Sequence, residues 1–134
     1  MTLVMGILNV TPDSFSDGGK YFATQDAISR GLEMIAEGVD IIDVGGESTR
    51  PGAERVSEAE ELRRVIPVIE ALVRAGARVS VDTMRASVAE KSGAHIINDV
   101  SGGKADPLMF KTVAKLNKPY ILMHWRGHST EMDN

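Results

Sequence analysis

The sequence contains no cysteine and no long hydrophobic run. The lack of cysteine excludes disulfides, thiolate metal sites and a cysteine nucleophile. No apolar stretch approaches the ~20 residues that a membrane-spanning helix requires, and no basic segment precedes the first predicted strand. These absences lead us to expect a cytoplasmic protein that is not inserted in a membrane.

An excess of positive charge is also lacking. The chain has 15 lysines and arginines against 19 aspartates and glutamates, so its net charge at pH 7 is −4. Proteins that bind nucleic acids or anionic membranes usually present a basic surface, and we therefore expect no nucleic acid and no membrane among the partners. The three histidines are too scattered to suggest a metal triad.

What is present is a chain of 134 residues with an ordinary composition, 43% hydrophobic and 25% charged. That length is sufficient for one domain with a substantial core. No linker, low-complexity stretch or shift in composition divides the sequence. We therefore predict that residues 1–134 belong to a single domain.

One pattern recurs along the chain: a helix-like segment ends at a glycine, a short apolar strand follows, and a carboxylate or amide closes the strand. Glycine suits the left-handed position at which many helices end. The strands are rich in β-branched residues and almost continuously apolar, as is typical of strands covered on both faces. The predicted strands are 3–8, 41–44, 79–81, 96–97 and a fifth that begins at Pro119.

Helices are predicted between these strands, at 24–37, 57–74, 84–92 and 106–116. The first carries Ile28, Leu32 and Ile35 in one apolar stripe. The second begins with a capping box from Ser57 to Glu60, and a proline in its interior predicts a kink.

Strands that alternate with helices imply right-handed βαβ units and a parallel sheet. Two α/β architectures fit, an open doubly wound sheet and a (β/α)8 barrel of the TIM type. Both place function at the carboxyl ends of the strands. Polar residues fall at that point after every predicted strand: Asn9, Asp43 to Arg50, Asp82-Thr83, Asn98-Asp99 and His124 to Arg126.

Asp82 and Asn98 end neighbouring strands and can converge on one small ligand. A carboxylate accepts hydrogen bonds and an amide both donates and accepts, which suits a nitrogen heterocycle with N–H and carbonyl edges. The alternative is that such residues cap the following helices, which is credible for Thr83 and Asp99 and stays open for Asp82. Asn9 offers an oxygen that could hold Mg²⁺ beside a substrate phosphate.

The segment from Gly45 to Ala53 forms a second polar loop. Glycine lets backbone N–H groups approach an anion closely, and Thr49 and Arg50 add donors. The loop lacks the spacing of a P-loop or a dinucleotide fingerprint, so a plain surface loop is an equal alternative. Met123, in the fifth predicted strand, either fills the core or lines a pocket for a flat ring.

The segments "GILNVTPDSFSDGG", "DVGGESTRPGA", "SVDT" and "INDVSGG", followed by "LMHWRG", resemble the dihydropteroate synthase family of folate biosynthesis. The resemblance implies a (β/α)8 barrel and a transferase that is a target of sulfonamides. The implied reaction condenses 4-aminobenzoate with 6-hydroxymethyl-7,8-dihydropterin diphosphate and releases pyrophosphate, with Mg²⁺ as cofactor. Because such barrels take about 250 residues, this chain would cover about the first four and a half β/α units.

On the pterin side, the resemblance implies that Asn9 is a Mg²⁺ ligand near the diphosphate. Asp82 and Asn98 would hold the pterin ring, with Met123 near its face. Asp82 would also be catalytic, because a carboxylate stabilises the cationic pterin fragment.

On the arylamine side, the resemblance implies that residues 9–19 form a mobile lid, in which Phe15 covers the aromatic ring and Asp17 faces the cationic pterin. Thr49, Arg50 and Pro51 would complete the 4-aminobenzoate and pyrophosphate site. Asp17 and Arg50 would be catalytic. The implied mechanism is dissociative, with early breakage of the bond to diphosphate and no covalent enzyme intermediate.

The later motifs of the family, which include a further pterin-binding aspartate and a lysine, have no counterpart in these residues. We therefore do not expect this chain alone to be fully active. An open half barrel would expose sheet edges, which favours self-association into a homo-oligomer. The third helix is short, and a deletion there would shift Asn98 relative to Asp82.

Two other functions stay open. One is a pterin- or methyltetrahydrofolate-binding module of a methyltransferase, and the other is a non-catalytic fragment that acts by association with another chain. The loops "TPDSFSDGG" and "STRPGA" favour the synthase, because in that family they serve the second substrate.

Overall fold

The computed structural model describes residues 2–10, 19–47 and 55–122. Within these ranges, β-strands alternate with α-helices along the chain. In order, the elements are β1 Met5–Asn9, α1 Gly19–Ala36, β2 Ile41–Gly45, α2 Glu58–Arg74, β3 Val79–Asp82, α3 Ala86–Lys91, β4 Ile96–Asp99, α4 Met109–Leu116 and β5 Tyr120–Leu122. No helix in the described part of the chain is long and apolar enough to cross a membrane.

The strands form one parallel sheet in the order β1-β2-β3-β4-β5. A doubly wound sheet reverses its strand order at a switch point, whereas in a (β/α)8 barrel the strand order follows the sequence. The observed order therefore decides between the two predicted architectures in favour of the TIM-barrel type. The described elements form about the first four and a half of its β/α units.

The two faces of the sheet differ in chemistry. One face carries Leu8, Val44, Val81 and Ile97, which pack with apolar side chains of the helices into a single core. Successive helices contact each other along the chain, so they cover this same face. Residues one position away along each strand point to the opposite face, because side chains alternate in a strand. This second face, here called the inner face, carries the polar side chains described below.

Helix α1 differs from its prediction in extent and in its buried stripe. It begins at Gly19 rather than at residue 24. Leu32, which was expected in the core, is 44% exposed, whereas Ala27 is buried. A Cβ atom on Gly31 would lie 2.8 Å from Leu72 Cδ2 of α2. These small residues let the two helices approach closely, and Leu32 is left on the outer side of their interface.

Of the capping box predicted for α2, the N-cap bond at Ser57 is confirmed. Ser57 Oγ accepts a hydrogen bond of 3.1 Å from the backbone N–H of Glu60, and α2 runs without interruption through Pro67. Helix α4 begins at Met109 rather than at residue 106. The reason is that Asp106 Oδ1 accepts from the backbone N–H of Leu108 at 2.9 Å, which holds the preceding residues in a turn.

Candidate active site

The polar residues predicted at the strand ends lie in one row across the sheet. Asn9 pairs with Gly45, Gly45 with Asp82, and Asp82 with Asn98. All four positions face the inner side of the sheet, opposite the helix-covered core. Asp82 and Asn98 are therefore register partners on β3 and β4, and their convergence on one ligand stays a prediction. Although α3 has only six residues, it does not shift the two strand ends relative to each other.

Asp82 is partly buried, and within the described ranges its carboxylate makes no hydrogen bond or ion pair. Burial raises its pKa from 3.8 to about 7, and repulsion from Asp43 and Glu61 adds to this effect. A carboxylate of this kind is half protonated near neutral pH, which is typical of functional sites rather than of helix caps. The prediction that Thr83 caps the next helix is wrong: the N-cap of α3 is Arg85, which makes no side-chain cap, and the first helical N–H, that of Ala86, donates to Asp106 Oδ2 at 2.8 Å. Thr83 Oγ1 accepts from the backbone N–H of Arg85 at 3.1 Å, before the helix begins.

Asn98 contacts a second carboxylate, that of Asp43. The sequence pattern predicts Asp43 among the polar residues at the strand ends but indicates no role for it. Asn98 Nδ2 donates to Asp43 Oδ2 at 3.2 Å, and Asp43 is only 2% exposed. Burial raises the pKa of Asp43 above its ordinary value, while the neighbouring hydroxyl of Ser80 and the hydrogen bond from Asn98 lower it. Asp43 Oδ1, Asn98 Oδ1 and the hydroxyl of Ser80 are buried without a hydrogen-bond partner among the described residues. Ser80 is the β3 residue that pairs with Asp43.

Asp99 lies on the other side of β4 and does not join this group. It follows Asn98 directly, so its side chain points to the helix-covered face. Its Oδ1 accepts from the backbone N–H and the hydroxyl of Ser101, at 2.9 and 2.7 Å, and its Oδ2 accepts from the backbone N–H of Gly103 at 3.0 Å. Asp99 therefore organises the turn after β4 and does not serve as the side-chain cap of α4, which begins at Met109.

A buried ion pair lies beside the row and was not found by sequence reasoning. Glu61 of α2 is 1% exposed; its Oε1 accepts from Arg85 Nη1 at 2.7 Å and its Oε2 from Thr83 Oγ1 at 2.6 Å. One signal in the sequence points to it: Glu61 stands four residues before Val65, and therefore on the apolar side of α2.

Arg85 also contacts described residues on either side of positions 48–54. Its Nη1 is 3.7 Å from Glu47 Oε2, and its Nη2 donates to the backbone carbonyl of Val56 at 2.5 Å. Glu47 and Arg55 are joined directly by a 2.8 Å ion pair. The residues that flank this segment are thus fixed to the start of α3.

Asn9 is the residue predicted to bind magnesium. It is exposed at the end of β1, so its amide oxygen can reach a ligand. No group of three or more Asp, Glu, His or Cys residues in the described ranges could hold a metal ion. Asn9 fits Mg²⁺ as a single protein ligand, since this ion commonly keeps waters and takes other ligands from substrate phosphates.

Several predicted site residues fall outside the described ranges: Phe15, Asp17, Thr49, Arg50, Pro51 and Met123. Their roles stay predictions. Of the residues predicted for the site, the structure thus brings together Asp82 and Asn98, with Asn9 at the end of the same row.

A profile of the pterin-binding enzymes matches residues 5–134. The chain belongs to this family. The dihydropteroate synthase of Bacillus subtilis is 60% identical over 129 residues, which cover 93% of this chain and 45% of that protein. This member of the pterin-binding enzymes thus spans about half the length of the curated relatives it matches.

Solved structures of dihydropteroate synthases have the same fold. The enzyme of Xanthomonas albilineans with 4-aminobenzoic acid superposes with a TM-score of 0.84 at 51% identity, over 94% of this chain and 48% of that one. The enzyme of Clostridium difficile in the presence of pteroic acid superposes with a TM-score of 0.85 at 44% identity, over 98% of this chain and 54% of that one.

Proposed function

We propose that this chain carries the first half of the active site of a dihydropteroate synthase. The reaction joins 4-aminobenzoate to 6-hydroxymethyl-7,8-dihydropterin diphosphate and releases pyrophosphate. The observation that carries the proposal is the pair of Asp82 and Asn98 side by side at the strand ends, on the inner face of a sheet built like those of known synthases. Residues 1–134 would then be the N-terminal part of a single pterin-binding TIM-barrel domain.

The pterin ring would lie against Asp82 and Asn98, with Met123 at its face. In support, both side chains have oxygen atoms without hydrogen-bond partners in the described part of the chain. Buried unpaired acceptors are costly in an empty site and become favourable when a ligand supplies N–H donors. Asp82 is also suited to stabilise positive charge that develops on the pterin, because its carboxylate is not neutralised by an ion pair within the described ranges.

The second substrate would be held by residues of the two polar loops. We assign Phe15 and Asp17 to the arylamine side, and Thr49, Arg50 and Pro51 to the 4-aminobenzoate and pyrophosphate contacts. The support is the match of these segments to a family whose member from Xanthomonas albilineans was solved with 4-aminobenzoic acid. The Glu47–Arg55 ion pair joins the residues on either side of 48–54.

Asn9 would hold Mg²⁺ on the diphosphate side of the row. When bound, the ion would offset negative charge on the departing pyrophosphate. The remaining work falls to positioning: Asn98 orients the ring, and Arg50 attracts the pyrophosphate oxygens. No covalent enzyme intermediate is needed, because alignment of the two substrates and fixed charges supply the stabilisation.

Part of the barrel must come from another segment for the site to be complete. In the described ranges β1 and β5 each pair with one strand, so one edge of each is free. Ile7 on the inner face of β1 is 56% exposed. Further β/α units of the same protein, or a second chain in an oligomer, would cover these edges.

The test uses the protein expressed from its natural gene, whose intact mass is measured first. Formation of dihydropteroate from the two substrates is then compared for Asp82→Ala and for Asp26→Ala, an exposed residue of α1. We expect Asp82→Ala to lose at least about 100-fold in kcat/KM, and Asp26→Ala to match the parent. Equal activity of the two variants, or no product from the parent protein, would refute the proposed function.

A further inference from the structure

Among the described residues, Asp43 is the buried carboxylate of the inner face to which the proposed function assigns no role. It lies one row below Asp82 and Asn98, because it is two residues before Gly45 on β2. It is 2% exposed, accepts a hydrogen bond from Asn98 Nδ2 at 3.2 Å, and has the hydroxyl of its register partner Ser80 beside it among the described residues. A buried carboxylate with so few donors and no cation among the described residues destabilises a fold, which indicates that it is retained for another purpose.

The hydrogen bond from Asn98 Nδ2 to Asp43 Oδ2 determines which end of the Asn98 amide stays unpaired. An amide group offers a donor at one end and an acceptor at the other, and the two ends are nearly equal in size. An ionised carboxylate can only accept, so Asp43 draws the Nδ2 end of Asn98 toward itself. The Oδ1 end is then left without a partner among the described residues, and it is buried. Asn98 itself is 6% exposed, so water does not replace the missing donor easily.

We infer that Asp43 is a positioning residue that fixes the orientation of the Asn98 amide, so that the site presents oxygen acceptors to the ring it binds. The acceptors are Asn98 Oδ1 and the carboxylate of Asp82. Such a surface selects a heterocycle edge with N–H donors. This inference rests on the proposed function, in that it takes the ring to be seated against Asp82 and Asn98.

A site of this kind should distinguish a pterin from a lumazine. A pterin carries an amino group at position 2, whereas a lumazine of the same shape carries a carbonyl there. Facing the acceptors of this site, the amino group gains hydrogen bonds and the carbonyl is repelled. A site built to pair with a donor discriminates strongly against an analogue that lacks it, because its own polar groups then stay buried and unpaired.

The experiment measures the dissociation constants of 6-hydroxymethylpterin and 6-hydroxymethyllumazine by calorimetry, with the protein from the natural gene. We expect the parent to prefer the pterin by about 100-fold or more. In Asp43→Asn the residue at position 43 can donate as well as accept, so the Asn98 amide loses its fixed orientation. The preference should fall by about 10- to 100-fold, which corresponds to one lost acceptor.

Two further variants separate positioning from simple damage. The exchange Asp43→Asn with Asn98→Asp keeps an amide–carboxylate pair and restores an acceptor at position 98, so the preference for pterin should return. Ser80→Ala removes the neighbouring hydroxyl without touching the amide, and the preference should stay at the level of the parent. An unchanged preference in Asp43→Asn, or no recovery in the exchange variant, would overturn the inference.

A second readout does not depend on ring binding. The side-chain amide protons of Asn98 can be followed by NMR in the parent and in Asp43→Asn. We expect one proton to be protected from exchange in the parent and at least about tenfold less protected in the variant. If neither ring binds the parent, the proposed function fails; the positioning role still stands or falls on this comparison, since equal protection in both proteins would overturn it.

Discussion

Arg85 Nη1 lies 2.7 Å from Glu61 Oε1, and this contact joins the start of α3 to a carboxylate that is buried in the first turns of α2. The same guanidinium reaches Glu47 and the carbonyl of Val56. The Arg85 side chain therefore links the start of α3 to α2 and to the residues that precede α2 and follow β2, all of which lie beside the candidate site. Its removal would leave the buried Glu61 carboxylate without the cation that pairs with it.

We expect Arg85→Met to destabilise the fold by about 3 kcal/mol, because breaking a buried ion pair leaves an uncompensated charge. The measurement is urea denaturation of the parent and the variant. Arg63→Met is the matched control: Arg63 is 56% exposed and pairs with Glu60 on the surface, so its loss should be below about 0.5 kcal/mol. Similar losses in the two variants would show that the Glu61 pair is not a stabilising contact.

Two adjacent glycines predict opposite outcomes on substitution. A Cβ atom on Gly45 would lie 3.4 Å from Asp82 Cβ and 3.5 Å from Asp82 Oδ2, in ordinary contact and beside the carboxylate. We expect Gly45→Ala to fold normally and to weaken pterin binding by about tenfold or more, since the methyl group occupies space next to Asp82. Calorimetry with 6-hydroxymethylpterin measures the effect, and unchanged affinity would place the ring elsewhere.

Gly46→Ala is the control for that variant. Its Cβ atom would lie 2.9 Å from Val65 Cγ1 and 3.3 Å from the backbone carbonyl of Glu61. We expect a loss of stability of about 1–3 kcal/mol, because the core must shift to admit the methyl group. Thermal unfolding of both glycine variants separates the two effects: Gly46→Ala should lower the Tm, and Gly45→Ala should not.

The position of the site could be predicted from the sequence because it depends on local rules. Strand length, the alternation of side chains and the carboxyl-end rule together place Asp82 and Asn98 next to each other, and the structure pairs them directly. The cap at Ser57 was predictable for the same reason, since its hydrogen bond spans three residues.

The contacts that hold the site residues in place could not be predicted in this way. The contact between Asn98 and Asp43 spans 55 positions, and the contact between Arg85 and Glu61 spans 24. Contacts of this kind depend on how the sheet curves and how α2 packs, which no local pattern encodes. Leu32 shows the same limit. Its spacing indicated a core position, but Gly31 is the residue that packs against Leu72, and Leu32 is left exposed.

The raised pKa of Asp82 predicts a dependence of stability on pH. Burial, followed by repulsion from Asp43, raises this pKa from 3.8 to about 7. The folded protein therefore retains a proton that the unfolded chain releases between about pH 4 and pH 7, so the stability that depends on this proton is lost as the pH rises through that window. Asp82→Asn imitates the protonated form at every pH.

We expect Asp82→Asn and the parent to be equally stable near pH 4, and the variant to be more stable by on the order of 4 kcal/mol near pH 8. Urea denaturation across that range measures the difference. Asp26→Asn, at an exposed position of α1, should show no trend with pH. A difference that does not grow with pH would mean that Asp82 titrates normally in the folded protein.

Asp99 predicts a local effect on the turn that follows β4. Its carboxylate is fully buried and accepts from two backbone N–H groups and one hydroxyl of residues 101–103. We expect Asp99→Ala to cost about 3 kcal/mol, because several partly buried donors lose one shared, buried acceptor together. Amide hydrogen exchange at Ser101 and Gly103 should quicken in the variant.

Ser101→Ala, which removes only the hydroxyl, should cost about 1 kcal/mol and leave the exchange of Gly103 unchanged. If Asp99→Ala kept slow exchange at Gly103, the turn would be held by backbone contacts alone, and the carboxylate would not be what orders the chain beside Asn98.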